Sequence, residues 1–454
     1  MALVLAAGAV GYAVLAGKIK TFDTSGLSKV RPAETAAINI LLIGTDARGG
    51  ENSVLGGGGD NVGRSDTTII VHIYPGAKSA VAVSIPRDSL VTVPSCKLPN
   101  GQWTQPQYNV MFNSAFSVGE SPQGNPSCTV NTVEKMTGLR MDHTVVVNFA
   151  GFAAMSTAVG GVPVCVPNDV YQGDLNPNLG YRGALLFHAG RQIVSGAKAL
   201  QYVRVRHGIG DGSDIGRIKR QQAFLSSLVV TMEKQGLSVS HLWPLVNAAT
   251  SAMTFDPSLS SPLKLLEFAK QIDGLKPSAV EFLTVPWRYD GYRVAIVQPD
   301  ANELWAALRA NRPLTNAKPT VSAAGSASKT TVPRGSGAVK VLNGTWTGGI
   351  ATRIAKKLTA AGFAATAGNA PVRNATTTTI HYRPADKARA QLLARYLKAT
   401  LVPDSTATTL TVVLGTSHRW IAGGTTAPQK KLPSSVTGDI RKATADACSN
   451  LSYG

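Results

Sequence analysis

The chain has 454 residues, a formal net charge of +19 and four cysteines, with 44% apolar and 6% aromatic residues. This length and apolar share accommodate two or three domains with buried cores and exclude any need for a disulfide scaffold. The positive excess points to a polyanionic partner, such as nucleic acid, anionic lipid, pyrophosphate or wall polymer, without choosing among them.

Residues 1–17 (MALVLAAGAVGYAVLAG) carry no charged side chain, and they fall a little short of the roughly 20 residues a helix needs to span a bilayer. No basic stretch precedes them, while Lys18 and Lys20 follow. The segment is therefore expected to be the end of a single N-terminal membrane anchor whose start is missing, with the remainder outside. Residues 18–36 are a polar connector. The near-continuous apolar run Ile38–Gly44 predicts a central strand, and Thr67–Tyr74 and Ser79–Ile85 predict two more, joined by a tight Pro75-Gly76 turn. Val145–Phe149 predicts a strand and Phe149–Val159 a helix closed by Gly160-Gly161. A helix beginning at Ser195 is expected to lead into an extended Tyr202-Val-Arg-Val-Arg. Helical periodicity runs from Arg217 to about Lys234, with shorter helices near 261–273 and 299–310. Mixed strands and helices across 37–310 give an α/β domain with a mixed central sheet flanked by helices.

Residues 311–336 are rich in Ala, Ser, Thr, Pro and Lys without apolar periodicity, which predicts a linker. From 337 to 420, strands at Val339–Leu342, 363–367, Thr376–Tyr382 and Thr409–Leu414, with helices at Gly349–Ala361 and Ala385–Ala399, predict a small βαββαβ domain. Residues 421–454 read as a loose tail pinned by Cys448. The cysteines form no CxxC and have no zinc-like spacing. Cys96 pairs best with Cys128, since both lie in polar, Gly/Pro/Ser-rich stretches, which leaves Cys165 and Cys448 as a weaker second pair.

There is no GxxxxGK[ST], HExxH or GxSxG, and the glycine run 56–59 lacks the Lys-Ser/Thr that a phosphate loop requires. What stands out is arginine and aspartate at element ends. Asp46 and Arg48 follow the first strand, Arg64 and Asp66 enter the second, and Arg87 and Asp88 end the third. Arg204 and Arg206 alternate on an expected extended segment. Asp214, Arg217 and Gln221 share one helix face at offsets of three and four. Guanidinium forks bind phosphate oxygens bidentately, whereas lysine cannot. Carboxylates among so many arginines are redundant unless they hold a cation, and Mg²⁺ takes one or two carboxylates plus phosphate oxygens. Asp46 and Asp66 are thus expected to bind Mg²⁺, or Mn²⁺ in its place, while the arginines neutralise a pyrophosphate. Singly, each such pair would read as a solvated ion pair.

The stretches NILLIGTDAR (39–48), GRSDTTII (63–70), SIPRD (84–88), FNSAF (112–116), LQYVRVRH (200–207) and DIGRIKRQQ (214–222), in this order, resemble the LytR-CpsA-Psr family of cell-wall glycopolymer ligases over residues 36–235. VKVLNGTWTGGIATRIAKKLTAAGF, from Val339, resembles the small C-terminal domain of many members, actinobacterial ones especially, and the placement of Cys96 and Cys128 is similar to theirs. The resemblance implies an α/β fold with an apolar tunnel for a polyprenyl chain and the head group at its mouth. Asp46 and Asp66 would flank Mg²⁺. Arg64, Arg87, Arg204, Arg206 and Arg217 would contact pyrophosphate, Gln221 would reach the head group, and Asp214, Asp88 and Asn113 would support it. One departure is Met111, where the motif around Asn113 often begins with lysine.

The resemblance also implies a reaction. A peptidoglycan hydroxyl attacks the sugar-side phosphorus of a polyprenyl-pyrophosphate-linked glycan, such as lipid-linked arabinogalactan, and polyprenyl phosphate leaves, with Asp66, Asp88 or a water taking the proton. Two rivals are a non-catalytic binder of lipid carriers or wall polymers and a pyrophosphatase using water as acceptor. Nucleic acid is disfavoured, because the basic residues are not interleaved with aromatics and no helix-turn-helix signal is present.

Overall fold

The computed structural model describes residues 16–47, 63–118, 125–205, 207–235, 247–248, 250, 253–315, 338–360, 363–397, 399–418 and 432–449. The chain divides into two compact units, Met1–Ala317 with Leu432–Gly454, and Lys318–Lys431. The expected 1–17 anchor lies almost wholly outside the described residues, as do Arg48, Arg206 and the glycine run 56–59. Among the described residues no helix is long and apolar enough to cross a membrane.

The first unit is built on an eight-stranded mixed sheet. Its strands are β1 (Lys20–Thr21), β2 (Ile38–Thr45), β3 (Ser65–Ile73), β4 (Ala80–Ile85), β5 (His143–Val147), β6 (Met253–Phe255), β7 (Val280–Thr284) and β8 (Arg441–Lys442). Their spatial order is β1-β6-β5-β2-β3-β4-β7-β8. β2, β3 and β4 form an antiparallel meander, and β5 and β7 add parallel to its two sides. The β3–β4 turn is the expected Pro-Gly one: Ala77 N donates to Tyr74 O (3.0 Å), with Gly76 at φ 89°. That φ suits the third residue of a type II turn and favours glycine.

Both faces of the sheet are covered, and the strands divide their side chains between them with period two. Leu41, Ile43, Ile70, Val81, Val83 and Ile85 point to a core closed by α1 (Pro126–Thr137) and by Trp305 and Leu308 of a later helix, Asp300–Arg309. Ile40, Leu42, Ile69, Val71 and Ala82 face the opposite side. A further core gathers α2 (Phe149–Ala158), α3 (Gly196–Arg204) and α4 (Asp214–Gln235) around Tyr202 and Phe224.

Four expectations are corrected. Tyr202–Arg204 is not extended but the last turn of α3, because Tyr202 and Val203 are buried on its inner face. Cys128 lies in helix α1 and not in a loop: Asn125 caps its first turn, Pro126 opens it, and Gly138 ends it at φ 65°. The 18–36 connector is packed, since Ser28 N donates to Asn131 Oδ1 (2.9 Å) and Arg31 pairs with Glu134, both on α1. Residues 311–315, expected to begin the linker, hold to the first unit through Leu314 in the core and Thr315 Oγ1 donating to Glu281 Oε1 (2.7 Å).

The tail also differs from expectation. Residues 432–449 return to the first unit as an ordered strap. Leu432 and Val436 enter the main core, β8 extends the sheet beside β7, and Asp439 Oδ2 accepts from Thr284 N (2.8 Å). The expected Cys96–Cys128 disulfide is formed, and so is Cys165–Cys448, which fastens the strap. The second unit carries a five-stranded sheet in the order 364–369, 338–343, 410–414, 379–382, 400–403, with helices Ile350–Ala360 and Lys387–Leu397. It has one strand more than expected, Thr400–Pro403, giving βαββαββ.

Cys165–Cys448 spans 283 residues of sequence, and closing so long a loop restricts the unfolded chain by about 5–6 kcal/mol in the chain-entropy model. The Cys165→Ser/Cys448→Ser variant is therefore expected to melt several degrees lower and to be cut first within 432–449 in limited proteolysis. An unchanged melt and cleavage pattern would show that the strap holds without its disulfide.

Candidate active site

The motif residues converge at one end of the sheet. β2 and β5 run parallel, so Asp46 and Asn148 leave the sheet side by side. β3 runs opposite and enters at the same end, bringing Arg64 and Asp66 alongside. Asp46 N and Asp66 N both donate to Arg64 O (3.3 and 3.0 Å), and Arg64 N donates to Asp46 Oδ1 (2.6 Å). The two carboxylates therefore flank one residue whose side chain is exposed. β4 ends at the same edge with Arg87 and Asp88.

Arg87 is the hub. Its Nη1 donates to Asp66 Oδ1 (2.7 Å), and its Nε lies 3.3 Å from Asp214 Oδ1 and 3.7 Å from Asp88 Oδ2. Asp214 opens α4 and also pairs with Arg217 one turn on. An acidic residue there complements the helix N-terminus. Burial opposes the charge of Arg87, but Asp66, Asp214 and Asp88 outweigh it and hold the guanidinium protonated. Asp214 is more deeply buried, with 8% of its side chain exposed. Burial raises its pKa above the usual carboxylate range even though Arg217 and Arg87 pull the other way. Arg87 Nε and Asp214 Oδ2 are buried without an aligned hydrogen bond among the described residues, and such orphaned polar atoms mark a place where a polar ligand fits.

The surrounding groups hold this hub in register. Thr67 Oγ1 donates to Gln221 Oε1 (3.1 Å), which ties α4 to β3 beside Asp66. Asn113 N donates to Arg87 O (3.0 Å) and Phe112 N to Ser89 O (2.8 Å), so the buried Asn113 backs the arginine through its main chain. Arg204 sits over the Phe149 ring, 4.3 Å from its centroid, just beyond the end of β5.

Arg220 was quoted within a motif but given no role. It is 1% exposed and donates to Ile209 O and Val205 O. It thereby fixes the loop before α4, where Gly208, Gly210 and Gly212 all take positive φ. Three alternate glycines before Asp214 were the legible signal for a tightly wound loop. Among the described residues no group of three or more His, Cys, Asp or Glu side chains is placed to hold a metal. A cavity of about 440 Å³ lies elsewhere in the first unit, lined by Lys219, Asp439, Arg441 and Lys442. The strap builds it, and it contains none of the motif arginines.

A LytR_cpsA_psr family model matches residues 13–310. The chain belongs to the LytR-CpsA-Psr family. A second model, described as LytR cell envelope-related transcriptional attenuator, matches residues 337–418. LcpB of Corynebacterium glutamicum, described as a probable cell wall biosynthesis protein, is 35% identical over 245 residues, 52% of each chain. The cell wall biosynthesis protein LcpA of the same organism is 28% identical over 336 residues, 67% of this chain and 62% of that one. The chain thus aligns with only about half to three-fifths of these relatives' length. The polyisoprenyl-teichoic acid–peptidoglycan teichoic acid transferase TagU of Enterococcus faecalis is 30% identical over 54% of this chain and 71% of its own. Among solved structures, TagT of B. subtilis is similar at 22% identity and a TM-score of 0.44, covering 64% of this chain and 98% of that one.

Removing Asp214 takes a buried counter-charge from Arg87 and Arg217 and is expected to cost about 3 kcal/mol. Asp214→Ala should melt lower and recover with added inorganic phosphate, which replaces the missing anion, by a larger shift than wild type shows. A phosphate-independent melt would mean that the two guanidinium groups do not face ligand-accessible space.

Proposed function

We propose that this family member is a cell-envelope phosphotransferase that moves a glycopolymer from a polyprenyl-pyrophosphate carrier to peptidoglycan. The observation that carries the reading is the shared engagement of Asp214 by Arg87 and Arg217 at the strand ends. Two guanidinium groups held beside one buried carboxylate are pre-oriented for a compact polyanion. The names of relatives support the substrate classes: TagU is named for transfer of polyisoprenyl-linked teichoic acid to peptidoglycan. For this chain the donor is a polyprenyl-linked wall glycan, such as arabinogalactan, and the similarity to the probable cell wall biosynthesis protein LcpB supports a wall polymer.

In the reaction, the acceptor hydroxyl oxygen forms a bond to the sugar-side phosphorus, and the bond from that phosphorus to the bridging oxygen breaks. Polyprenyl phosphate departs with the electron pair, and the hydroxyl proton passes to a base. Arg87 and Arg217 bind the phosphate oxygens and stabilise the charge that develops on them. Asp66 is committed to Arg87 at 2.7 Å, and Asp214 is buried between two arginines. Among the described residues the Asp88 carboxylate has only ion-pair contacts, of 3.7 and 3.9 Å, and it is the carboxylate best suited to take the proton, in preference to Asp66. Asp46 and Asp66 suit Mg²⁺, which favours two carboxylates and leaves its other positions to phosphate and water. Bound there, the ion would neutralise phosphate charge. Gln221, held by Thr67 beside Asp66, is set to meet the head group. The two disulfides suit an oxidising compartment, consistent with an extracytoplasmic enzyme tethered by an N-terminal single-pass anchor.

The test is phosphate release from a polyprenyl pyrophosphate by the full chain with Mg²⁺, with Arg87→Ala and Asp66→Ala in parallel. Loss of a buried charge contact in the transition state is expected to lower the rate by at least about a hundredfold in Arg87→Ala, with a smaller loss in Asp66→Ala. Equal rates in all three proteins would remove the chemistry from this site, and tight lipid binding without release even when peptidoglycan is present would favour a carrier-binding protein.

A further inference from the structure

The motif residues supply Arg87 and Arg217, but a third guanidinium stands at the same cluster from a segment outside every motif. Trp287–Asp290 and Arg293–Ile296 form a hairpin after β7. Its second strand is fastened to the end of β4: Val294 N donates to Asp88 O (3.3 Å), and Ser89 and Val294 are bridged. Val294 is 3% exposed and points into the protein. Its neighbour Arg293 therefore points the other way, and its guanidinium reaches the site, 3.9 Å from Asp88 Oδ1 and donating to Met111 Sδ (2.7 Å). Met111 is brought there independently. It ends the strand Gln107–Met111, which pairs with Leu90–Val93 directly after Asp88.

The partners of Arg293 are weak ones. A thioether is a poor acceptor for a guanidinium donor, and Asp88 is shared with Arg87. With 47% of its side chain exposed, the Asp88 pair contributes little to stability. A cation held in place by its backbone but loosely satisfied is suited to bind an incoming anion. Position 111 is an uncharged methionine in contact with that same guanidinium.

We propose that Arg293 is a phosphate-contacting residue of this site and that it supplies, from the hairpin, the cationic contact that Met111 cannot. This rests on the pyrophosphate reading above. Arg87 and Arg217 then hold the anion from the sheet and α4 side, and Arg293 closes on it from the hairpin.

The test is calorimetric binding of inorganic pyrophosphate to the full chain. Arg293→Ala is expected to bind about tenfold more weakly, the scale of one charge-assisted contact, and Arg293→Ala/Met111→Lys is expected to regain most of that loss. Arg293→Gln keeps the side chain's bulk and carries the test if the alanine variant melts lower. Wild-type affinity in Arg293→Ala and Arg293→Gln, with binding lost in Arg87→Ala, would overturn the role of Arg293 and leave the site's function standing. Weakening without recovery in the double variant would overturn the claim that positions 293 and 111 serve one place. No binding by wild type would overturn both this proposal and the reading beneath it.

Discussion

A guanidinium removed from water must be paired, and the architecture of this site follows from that requirement at Arg87. Its side chain is 18% exposed and reaches three carboxylates, each delivered by a different stretch: Asp66 from the start of β3, Asp88 from the end of β4, and Asp214 from the start of α4. Together they offset the cost of taking the guanidinium out of water. The sheet register, the Thr67–Gln221 contact and the Arg220-braced loop before α4 therefore all serve one geometry. Because the carboxylates balance the arginines before any ligand arrives, the proposed pyrophosphate would have to compete with them, with more oxygens and more charge than any single aspartate.

The sheet end where this happens is kept rigid from two directions. The main core, with Trp305 and Leu308 beneath β2 to β4, fixes the strand ends. On the far edge, the strap 432–449 adds β8 to β7 and is bound through Cys448 to Cys165. β7 leads directly into the hairpin that carries Arg293, so the strap supports the strand from which that arginine is presented. The second unit is thus inserted in sequence between two parts of the first, with the chain leaving after Ala317 and returning at Leu432.

Most of the site was legible because its chemistry sits at element ends, where arginine and aspartate have no structural reason to recur. Asp46, Asp66, Arg87, Asp214 and Arg217 could be named from strand ends and helix offsets alone. The strands of the meander were equally plain, since both faces are buried and the apolar runs are continuous. Three features were less so. Helix α1 is Thr-rich and buried on nearly all sides, so it shows no amphipathic stripe, and only its Asn-Pro start and Gly138 end mark it. The extended reading of Tyr202–Arg204 rested on the alternation of Arg204 and Arg206, which packing of Tyr202 and Val203 on the inner face of α3 overrode. Arg293 lay in a hairpin with no motif, and a single arginine on an exposed strand carries no signal until its neighbours are known. The strap was obscured for a similar reason. Its two core residues, Leu432 and Val436, are too few to give a period, and Cys448 was its only visible tether.

Binding of a lipid carrier's pyrophosphate by the arginine cluster at the strand ends can be seen in a crystal structure of the full chain with geranylgeranyl pyrophosphate. Phosphate oxygens are expected within hydrogen-bonding distance of both Arg87 and Arg217, with the head group between β4 and the start of α4. A lipid whose pyrophosphate rests instead in the cleft lined by Lys219, Arg441 and Lys442, with the Arg87–Asp214–Arg217 contacts undisturbed, would contradict it.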